Sequence, residues 1–186
     1  MKLEIRCATP QDLEPMLEWR GGSEAMKTAL AAEFAAQPLG ERTILIAFDA
    51  LQNQIGTVQL VRNYHDPDLS NVTSVYLQGL DVRDTYRGRG VGTALIRALE
   101  SHAKSLGFSR VTLMVDLDNA PALALYKKLG FQWFKQTFDV WDGQTYPVDC
   151  FEKIWTARRR LTPANRLEKR ASGAGRDVFV NSRRWR

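Results

Sequence analysis

The chain has 186 residues, of which 44% are hydrophobic and 25% charged, as is typical of one globular domain with room for a short appendage. No apolar run approaches the roughly 20 residues of a membrane-spanning helix, and the N-terminus lacks the apolar core of a signal peptide. Cys7 and Cys150 are too few for a disulfide framework and lack the spacing of a metal site. We therefore expect a cytoplasmic protein with reduced, partly buried cysteines, no metal and no membrane partner.

The formal net charge of +5 is unevenly distributed along the chain. Residues 158–186 contain ten Lys or Arg and two Asp or Glu, whereas residues 1–157 contain 16 basic and 19 acidic residues. This division predicts a slightly acidic domain over 1–157 and a basic C-terminal tail over 158–186. We expect the tail to be mobile or packed on a partner.

The first part of the chain alternates between strand-like and helix-like patterns. Thr9-Pro10-Gln11-Asp12 is typical of a helix start, because Thr can cap, Pro suits the first turn and Asp suits the positive end of the helix. The pattern then predicts a strand over 2–8, helices over 12–20 and 24–36, and strands over 43–48 and 55–61.

A central strand is predicted over Ser74–Val82, and Gly79 within it indicates a β-bulge. A helix over Val91–Leu106 follows, with one apolar face that would cover the sheet. His102 lies beside that face, and we expect it to face solvent or to be hydrogen-bonded. The remaining predicted elements are a strand over 110–115, a helix over 120–129 and a hairpin of strands over 131–141 and 146–155.

The turn between the central strand and the following helix has the composition of a phosphate socket. Residues 86–93 are Tyr-Arg-Gly-Arg-Gly-Val-Gly-Thr. Glycines let the backbone approach a ligand, successive N–H groups converge on an anion, and a helix N-terminus adds partial positive charge. The spacing matches neither the G-x-G-x-x-G of dinucleotide-binding folds nor the P-loop.

Two motifs together resemble the GNAT superfamily of acyl-CoA-dependent N-acetyltransferases. Arg87-x-x-Gly90-x-Gly92 is similar to the pyrophosphate-binding loop of that family, Q/R-x-x-G-x-G/A. Asn119 to Phe131 is similar to the next family segment, N-x-x-A-x-x-L-Y-x-K-x-G-F, at every specified position. The resemblance is close over residues 77–131 and covers the rest of 1–157 by element order.

The resemblance implies an α/β fold of the GNAT type. In that fold a mixed, mostly antiparallel central sheet is splayed between its fourth and fifth strands and carries helices on both faces. The resemblance also implies acetyl-CoA as co-substrate. The residues implied to bind it lie on the strand edge, in the loop and at two helix starts: Leu80, Val82, Arg87, Gly88, Arg89, Gly90, Val91, Gly92, Thr93 and Asn119.

The same resemblance implies direct transfer of an acetyl group to a primary amine. Tyr126 stands at the family's general-acid position, from which it would protonate the leaving thiolate. The motifs do not identify the base for the amine. Asp81 is the only carboxylate on the central strand and is the leading candidate. The weaker candidates are Asp116, Asp118, Asp139 and Asp142.

The sequence leaves the acceptor and the partners open. Carboxylates beside aromatic residues in the first helices and the last hairpin suit a cationic amine, or else form an ordinary solvated surface. Met114 stands where the branch that acetylates N-terminal amines often has Glu, which argues against a ribosomal-protein acceptor. Alternative hypotheses are an acyl-CoA sensor without catalysis and a nucleic-acid-associated or ribosome-associated protein acting through the basic tail. A homodimer is also left open.

Overall fold

The computed structural model describes residues 2–20, 23–141 and 144–155. The predicted turn at Asp142-Gly143 and the basic tail lie outside these residues. The division into a domain over 1–157 and a tail over 158–186 therefore stays a prediction. Within the described residues, every helix is too short or too polar to cross a membrane.

Each predicted element is present, with its ends displaced by at most two residues. Two short 3-10 turns, Pro10–Asp12 and Asp84–Tyr86, precede the first and third helices. In chain order the elements are β1 (Glu4–Cys7), α1 (Leu13–Arg20), α2 (Glu24–Ala35), β2 (Arg42–Phe48), β3 (Gln54–Val61), β4 (Ser74–Val82), α3 (Val91–Ser105), β5 (Arg110–Asp116), α4 (Ala120–Lys128), β6 (Gln132–Trp141) and β7 (Gln144–Ile154).

The strands form one seven-stranded sheet in the order β1-β2-β3-β4-β5-β7-β6. Neighbouring strands are antiparallel except β4 and β5, which are parallel and connected through α3. A parallel pair needs such a crossover because a tight hairpin can join only antiparallel strands. The predicted mixed, mostly antiparallel sheet is confirmed.

Helices cover both faces of the sheet, as predicted. Along β2, Leu45 and Ala47 lie in the core formed with α3 and α4, whereas Ile44 and Ile46 pack with α1 and α2. This division follows from the alternation of side chains along a strand. Because both faces are covered, β2 is apolar at every position from Ile44 to Phe48 instead of at every second one.

The predicted apolar face of α3 is confirmed over most of its length. Val91, Leu95 and Leu99 are at most 1% exposed. Leu106, the last residue of the predicted helix, is 39% exposed, because α3 ends at Ser105 and Leu106 is its C-cap residue. Glu100 is buried on α3 and forms an ion pair with Lys153 of β7 at 2.7 Å.

The expectation that both cysteines are partly buried is wrong. Cys7 is exposed at the end of the edge strand β1, whereas Cys150 is 0% exposed on β7, between β5 and β6. Burial raises the pKa of the Cys150 thiol to about 11, which keeps this thiol protonated and unreactive at neutral pH.

Asp12 anchors the turn that leads from β1 into α1. Its carboxylate accepts hydrogen bonds from the guanidinium of Arg6 at 2.7 and 2.8 Å and from the backbone N–H of Thr9 at 2.7 Å. The bonds from Arg6, and next those from Thr9, lower the pKa of Asp12 to about 2 although burial opposes this. The sequence placed Asp12 in the first turn of α1; it lies in the 3-10 turn before it.

This depressed pKa makes Asp12 a source of stability that acid removes. The contribution is complete above the ordinary carboxyl pKa near 4 and is lost as the pH falls through 2. We expect Asp12→Asn to lower the free energy of unfolding at pH 7 by roughly 2 kcal/mol, with a difference from wild type that shrinks below pH 4. Urea denaturation at pH 7, 5 and 3.5 measures both effects. The exposed Glu14→Gln is the control, and an equal loss in that variant would contradict the prediction.

Candidate active site

An opening in the sheet separates the C-terminal halves of β4 and β5. The two strands pair only from Ser74–Leu77 to Arg110–Leu113. Beyond these residues β4 continues on β3, and β5 continues on β7. The resulting cavity of about 280 Å³ is lined mainly by β4, β5 and α4. The predicted splay between the fourth and fifth strands is therefore present.

Gly79 produces a β-bulge at the point where the strands separate. Its φ is +61°, in the left-handed region, and the register of β3 on β4 shifts between Thr57 and Gln59. The extra residue reverses the alternation of side chains beyond it. Leu80 and Val82 consequently pack against the core under α3 and α4.

The open edge of β4 presents backbone groups at two of the predicted cofactor residues. Arg83 donates its N–H to Ile55 of β3 at 3.0 Å, and Asp81 lies opposite Thr57. Because successive residues on a strand direct their N–H and C=O groups to opposite sides, those of Leu80 and Val82 point into the opening. This edge can accept an extended ligand as an added strand.

The N-terminus of α3 lies beside this edge. Gly90 is the N-cap residue, with φ +86°, and the first helical hydrogen bond runs from the N–H of Ala94 to its carbonyl at 3.0 Å. The N–H groups of the first turn, residues 91–93, therefore have no acceptor within the helix. No acidic residue occurs in that turn. Such an arrangement can bind a phosphate anion.

The two arginines of the glycine-rich loop differ in their surroundings. Both are exposed, as is Gly88 between them. Arg87 is 2.9 Å from Asp84 and donates to the carbonyl of Val82 at 3.1 Å, so its charge is partly offset within the protein. Arg89 lies over the ring of Tyr86 at 5.7 Å and has no carboxylate partner among the described residues. Arg89 is thus the loop cation best placed to meet an incoming anion.

Tyr126 lies in the wall of the opening on α4. The residue is 5% exposed, and its ring meets that of Phe131 edge-on at a centroid distance of 5.7 Å. Burial raises its pKa to about 12, and within the described part of the chain its hydroxyl has no hydrogen-bond partner. The phenol therefore keeps its proton at neutral pH and can donate it to a ligand in the opening.

Asn119 caps the helix that carries Tyr126. Its side-chain oxygen accepts a hydrogen bond from the N–H of Ala122 at 3.2 Å. Asn119 also lines the opening. Its amide nitrogen is therefore available to a ligand while its oxygen holds the helix start.

The structure does not bring Asp81 together with Tyr126. The bulge at Gly79 directs Asp81 to the face covered by α1 and α2, where its carboxylate lies 3.7 Å from Arg20 and 3.9 Å from Arg87. Asp81 does not line the opening that contains Tyr126.

Two other carboxylates do line that opening, Asp116 of β5 and Asp139 of β6. Both also line an adjoining cleft of about 690 Å³ that includes Asp118 and Tyr146. The cleft is therefore strongly acidic where it meets the opening. Among the described residues, no group of three or more His, Cys, Asp or Glu is arranged to hold a metal ion.

A polar cluster on the opposite side of Gly79 was not anticipated from the sequence. Glu33 of α2 accepts a hydrogen bond from Gln59 at 2.6 Å and is 3.3 Å from Arg42, which also contacts Gln78. The cluster borders a cavity of about 230 Å³ that shares Gln78 and Gly79 with the opening. In the sequence, Gln59 and Gln78, each next to apolar residues of a predicted strand, could have indicated this cluster.

Comparison with known proteins agrees with this geometry. The family model described as "Acetyltransferase (GNAT) family" matches residues 11–131. Mycothiol acetyltransferase from Corynebacterium glutamicum (strain R) is 43% identical over 67 residues, which are 36% of this chain and 21% of that protein. The chain thus matches about a fifth of the length of this curated relative.

Solved structures share the fold at low sequence identity. Arabidopsis thaliana NAA60 in complex with acetyl-CoA has a TM-score of 0.64 and 21% identity, covering 82% of this chain and 98% of that chain. A spermidine N-acetyltransferase SpeG chimera from Vibrio cholerae and hSSAT has a TM-score of 0.67 and 19% identity, covering 83% and 96%.

A sheet split between parallel strands, next to the N-terminus of the helix that joins them, can hold an extended, phosphate-bearing ligand. Together with the family match over residues 11–131, these features place the chain in the GNAT acetyltransferase family.

The bulge at Gly79 generates a test of how the opening is held. A methyl group at Gly79 would lie 3.2 Å from the side-chain nitrogen of Gln59, which is bonded to Glu33, whereas one at Gly107, with φ +91°, would meet nothing within 4 Å. We expect Gly107→Ala to lower the free energy of unfolding by about 1 kcal/mol through backbone strain alone. Gly79→Ala should cost about 1 kcal/mol more, because it also disturbs the packing. Urea denaturation compares the two, and equal costs would contradict a packing role for Gly79.

Proposed function

We propose that this chain transfers an acetyl group from acetyl-CoA directly to a primary amine. The observation that carries the proposal is a single opening with three matched features among the described residues: N–H groups at the α3 N-terminus without a helical acceptor, an edge of β4 without a strand partner, and a Tyr126 hydroxyl without a hydrogen-bond partner. These correspond to what a phosphate, an extended arm and a leaving thiolate each require.

The cofactor would lie along β4 with its pyrophosphate at α3. The N–H groups of Val91, Gly92 and Thr93 would bind the phosphate oxygens, with Arg89 adding a full positive charge. The amide-bearing arm of the cofactor would pair with the backbone of Leu80 and Val82. A methyl group on Gly92 would lie 3.4 Å from Leu125 of α4 and 3.9 Å from Val82 of β4, so the phosphate site adjoins both walls of the opening.

Chemistry would then require three events at one carbonyl carbon. The neutral amine attacks the thioester carbonyl, the N–H of Val82 stabilises the negative oxygen, and the C–S bond breaks. Tyr126 donates its proton to the leaving sulfur and is reprotonated by the proton that the attacking nitrogen loses as the amide forms. A pKa near 12 makes Tyr126 fully protonated at pH 7, and burial that raises this pKa also disfavours a free thiolate in the same cavity.

The acceptor would be a cationic amine that enters through the acidic cleft. Asp116 and Asp139 line both the cleft and the opening, so they would attract an ammonium group to the reaction site. An unperturbed alkylammonium has a pKa of about 10.4 and must lose a proton before it attacks. We propose Asp139 as the carboxylate that receives this proton. The spermidine acetyltransferase among the structural neighbours supports a polyamine as one member of the test panel.

Thiol release from acetyl-CoA across a panel of amines tests the proposal. The panel contains spermidine, a lysine peptide, a peptide with a free N-terminus and an aminoglycoside. We expect at least one amine to accelerate release, and we expect Tyr126→Phe to lower kcat by roughly 10²–10⁴-fold with little change in acetyl-CoA affinity. Tyr64→Phe, which removes a partly buried hydroxyl outside the opening, is the control.

The possible results separate the hypotheses. Loss of turnover in Tyr126→Phe alone supports the general acid. Full activity in Tyr126→Phe would overturn the role of Tyr126 as general acid but not the proposed acetyltransferase activity. Tight acetyl-CoA binding without release for any amine would replace the enzyme with an acyl-CoA sensor, and absence of binding would reject the proposed cofactor site.

The two candidate bases can be distinguished with the best amine from that panel. We expect Asp139→Asn to lower kcat/KM by roughly 10²-fold. Asp81→Asn removes a carboxylate that is paired with arginines outside the opening, and it should change kcat/KM by less than about 3-fold. The reverse order would assign the base to Asp81, as the sequence suggested.

A further inference from the structure

We propose that a cleft at the opposite end of the sheet binds a small amphipathic carboxylate, that is, an anionic head attached to a short apolar body. The cleft has a volume of about 670 Å³ and shares no lining residue with the opening or with the acidic cleft. It is therefore a second site, separate from acetyl transfer.

The cleft exists because β1 is shorter than β2. β1 pairs only with Leu45–Phe48, and the last contact is the N–H of Ala8 with the carbonyl of Ile44 at 2.8 Å. The first residues of β2, including Thr43, extend past the end of β1. The cleft occupies this position between the C-terminal part of α2 and the C-terminal part of α3.

One wall of the cleft is apolar. It is formed by Leu13 at the start of α1 and by Ala31, Phe34 and Ala35 on α2. Phe34 is 8% exposed, so most of its ring packs into the core and only its edge reaches the cleft. This wall can bury an aliphatic or aromatic group but offers no hydrogen bonds to it.

The opposite wall is cationic. The titratable or charged side chains that line the cleft are Cys7, Arg42, Arg62 and His102, and no carboxylate of the described chain is among them. Arg42 is neutralised by Glu33 at 3.3 Å. Arg62 forms no ion pair within the described residues, and its buried Nε has no hydrogen-bond partner there. Among the residues that the structure describes, Arg62 is thus a cation without a counter-ion beside an apolar wall.

The pKa of His102 is sensitive to the charge of Arg62. Its Nε2 lies 3.3 Å from the hydroxyl of Thr43. Burial, and next the charge of Arg62, lower the pKa of His102, so the imidazole is neutral at pH 7 and one of its nitrogens can donate a hydrogen bond. A carboxylate held between Arg62 and His102 would reverse the electrostatic part of this effect.

The apolar wall and the cation of Arg62 together indicate which class of ligand the cleft would bind. A partly buried guanidinium without a partner is unfavourable, and a bound carboxylate would provide a bidentate hydrogen-bonded counter-ion. A cation would be repelled by Arg62, and a fully polar anion would leave the apolar wall unused. An anion with a short apolar body satisfies both walls.

The two histidines of the chain make the proposal directly measurable. His102 lines the cleft, whereas His65 lies in the loop before β4 and serves as an internal control. The experiment follows the imidazole C2–H signals by proton NMR from pH 5 to 8, with and without millimolar octanoate, after assignment with His65→Gln. We expect octanoate to raise the pKa of His102 by roughly one pH unit and to leave that of His65 unchanged. Octanamide, which has the same chain without charge, should produce neither change.

Arginine variants locate the anion. Arg62→Gln should abolish the response of His102 to octanoate, whereas Arg97→Gln, at an exposed position of the same α3 helix, should leave it intact. Repeating the titration with saturating CoA separates the cleft from the cofactor site, and the response should persist. A His102 signal that ignores octanoate, responds equally to octanamide, survives Arg62→Gln or is lost with CoA would overturn the proposal.

Discussion

Parallel pairing between β4 and β5 ends at Leu77 and Leu113, and each strand then continues on a different neighbour. The backbone groups on the open edge of β4 consequently have no strand partner. Buried N–H and C=O groups require partners, so an opening of this kind favours a ligand that can supply amide hydrogen bonds. The position of α3 follows from the same constraint, because the crossover helix of a parallel pair starts where the first strand ends. Its anion site therefore adjoins the opening.

The bulge at Gly79 decides which side chains of β4 lie on each face of the sheet. By adding one residue to β4, the bulge turns Leu80 and Val82 towards the helix that bears Tyr126 and turns Asp81 to the other face. The carboxylates that remain near Tyr126 come from β5 and β6 instead. The catalytic proposal depends on this placement of the carboxylates. The proposed base is therefore Asp139 on the final hairpin and not Asp81 on the central strand.

The local charges at each site of the described residues indicate which ligand would bind there. The net charge of the chain does not. The α3 N-terminus with Arg89 suits a phosphate, the cleft with Asp116 and Asp139 suits an ammonium, and the cleft with Arg62 suits a carboxylate. Among the described residues, the cleft with Arg62 shares no lining residue with the opening or the acidic cleft, and only this cleft has its charge beside an apolar wall. Sites of opposite sign can therefore lie in one small domain without competing for the same ligand.

The sequence by itself determined the element order, the glycine-rich loop and the family, because side-chain periodicity and the residues of a tight turn act over a few neighbouring positions. It also identified the bulge at Gly79 but not the face on which Asp81 lies. The exposure of Leu106, the burial of Cys150 and the cluster around Glu33 depend on where helices end and which strands become neighbours. Tertiary structure alone decided these, because they arise from contacts between residues far apart in the chain, and no local pattern encodes such distances.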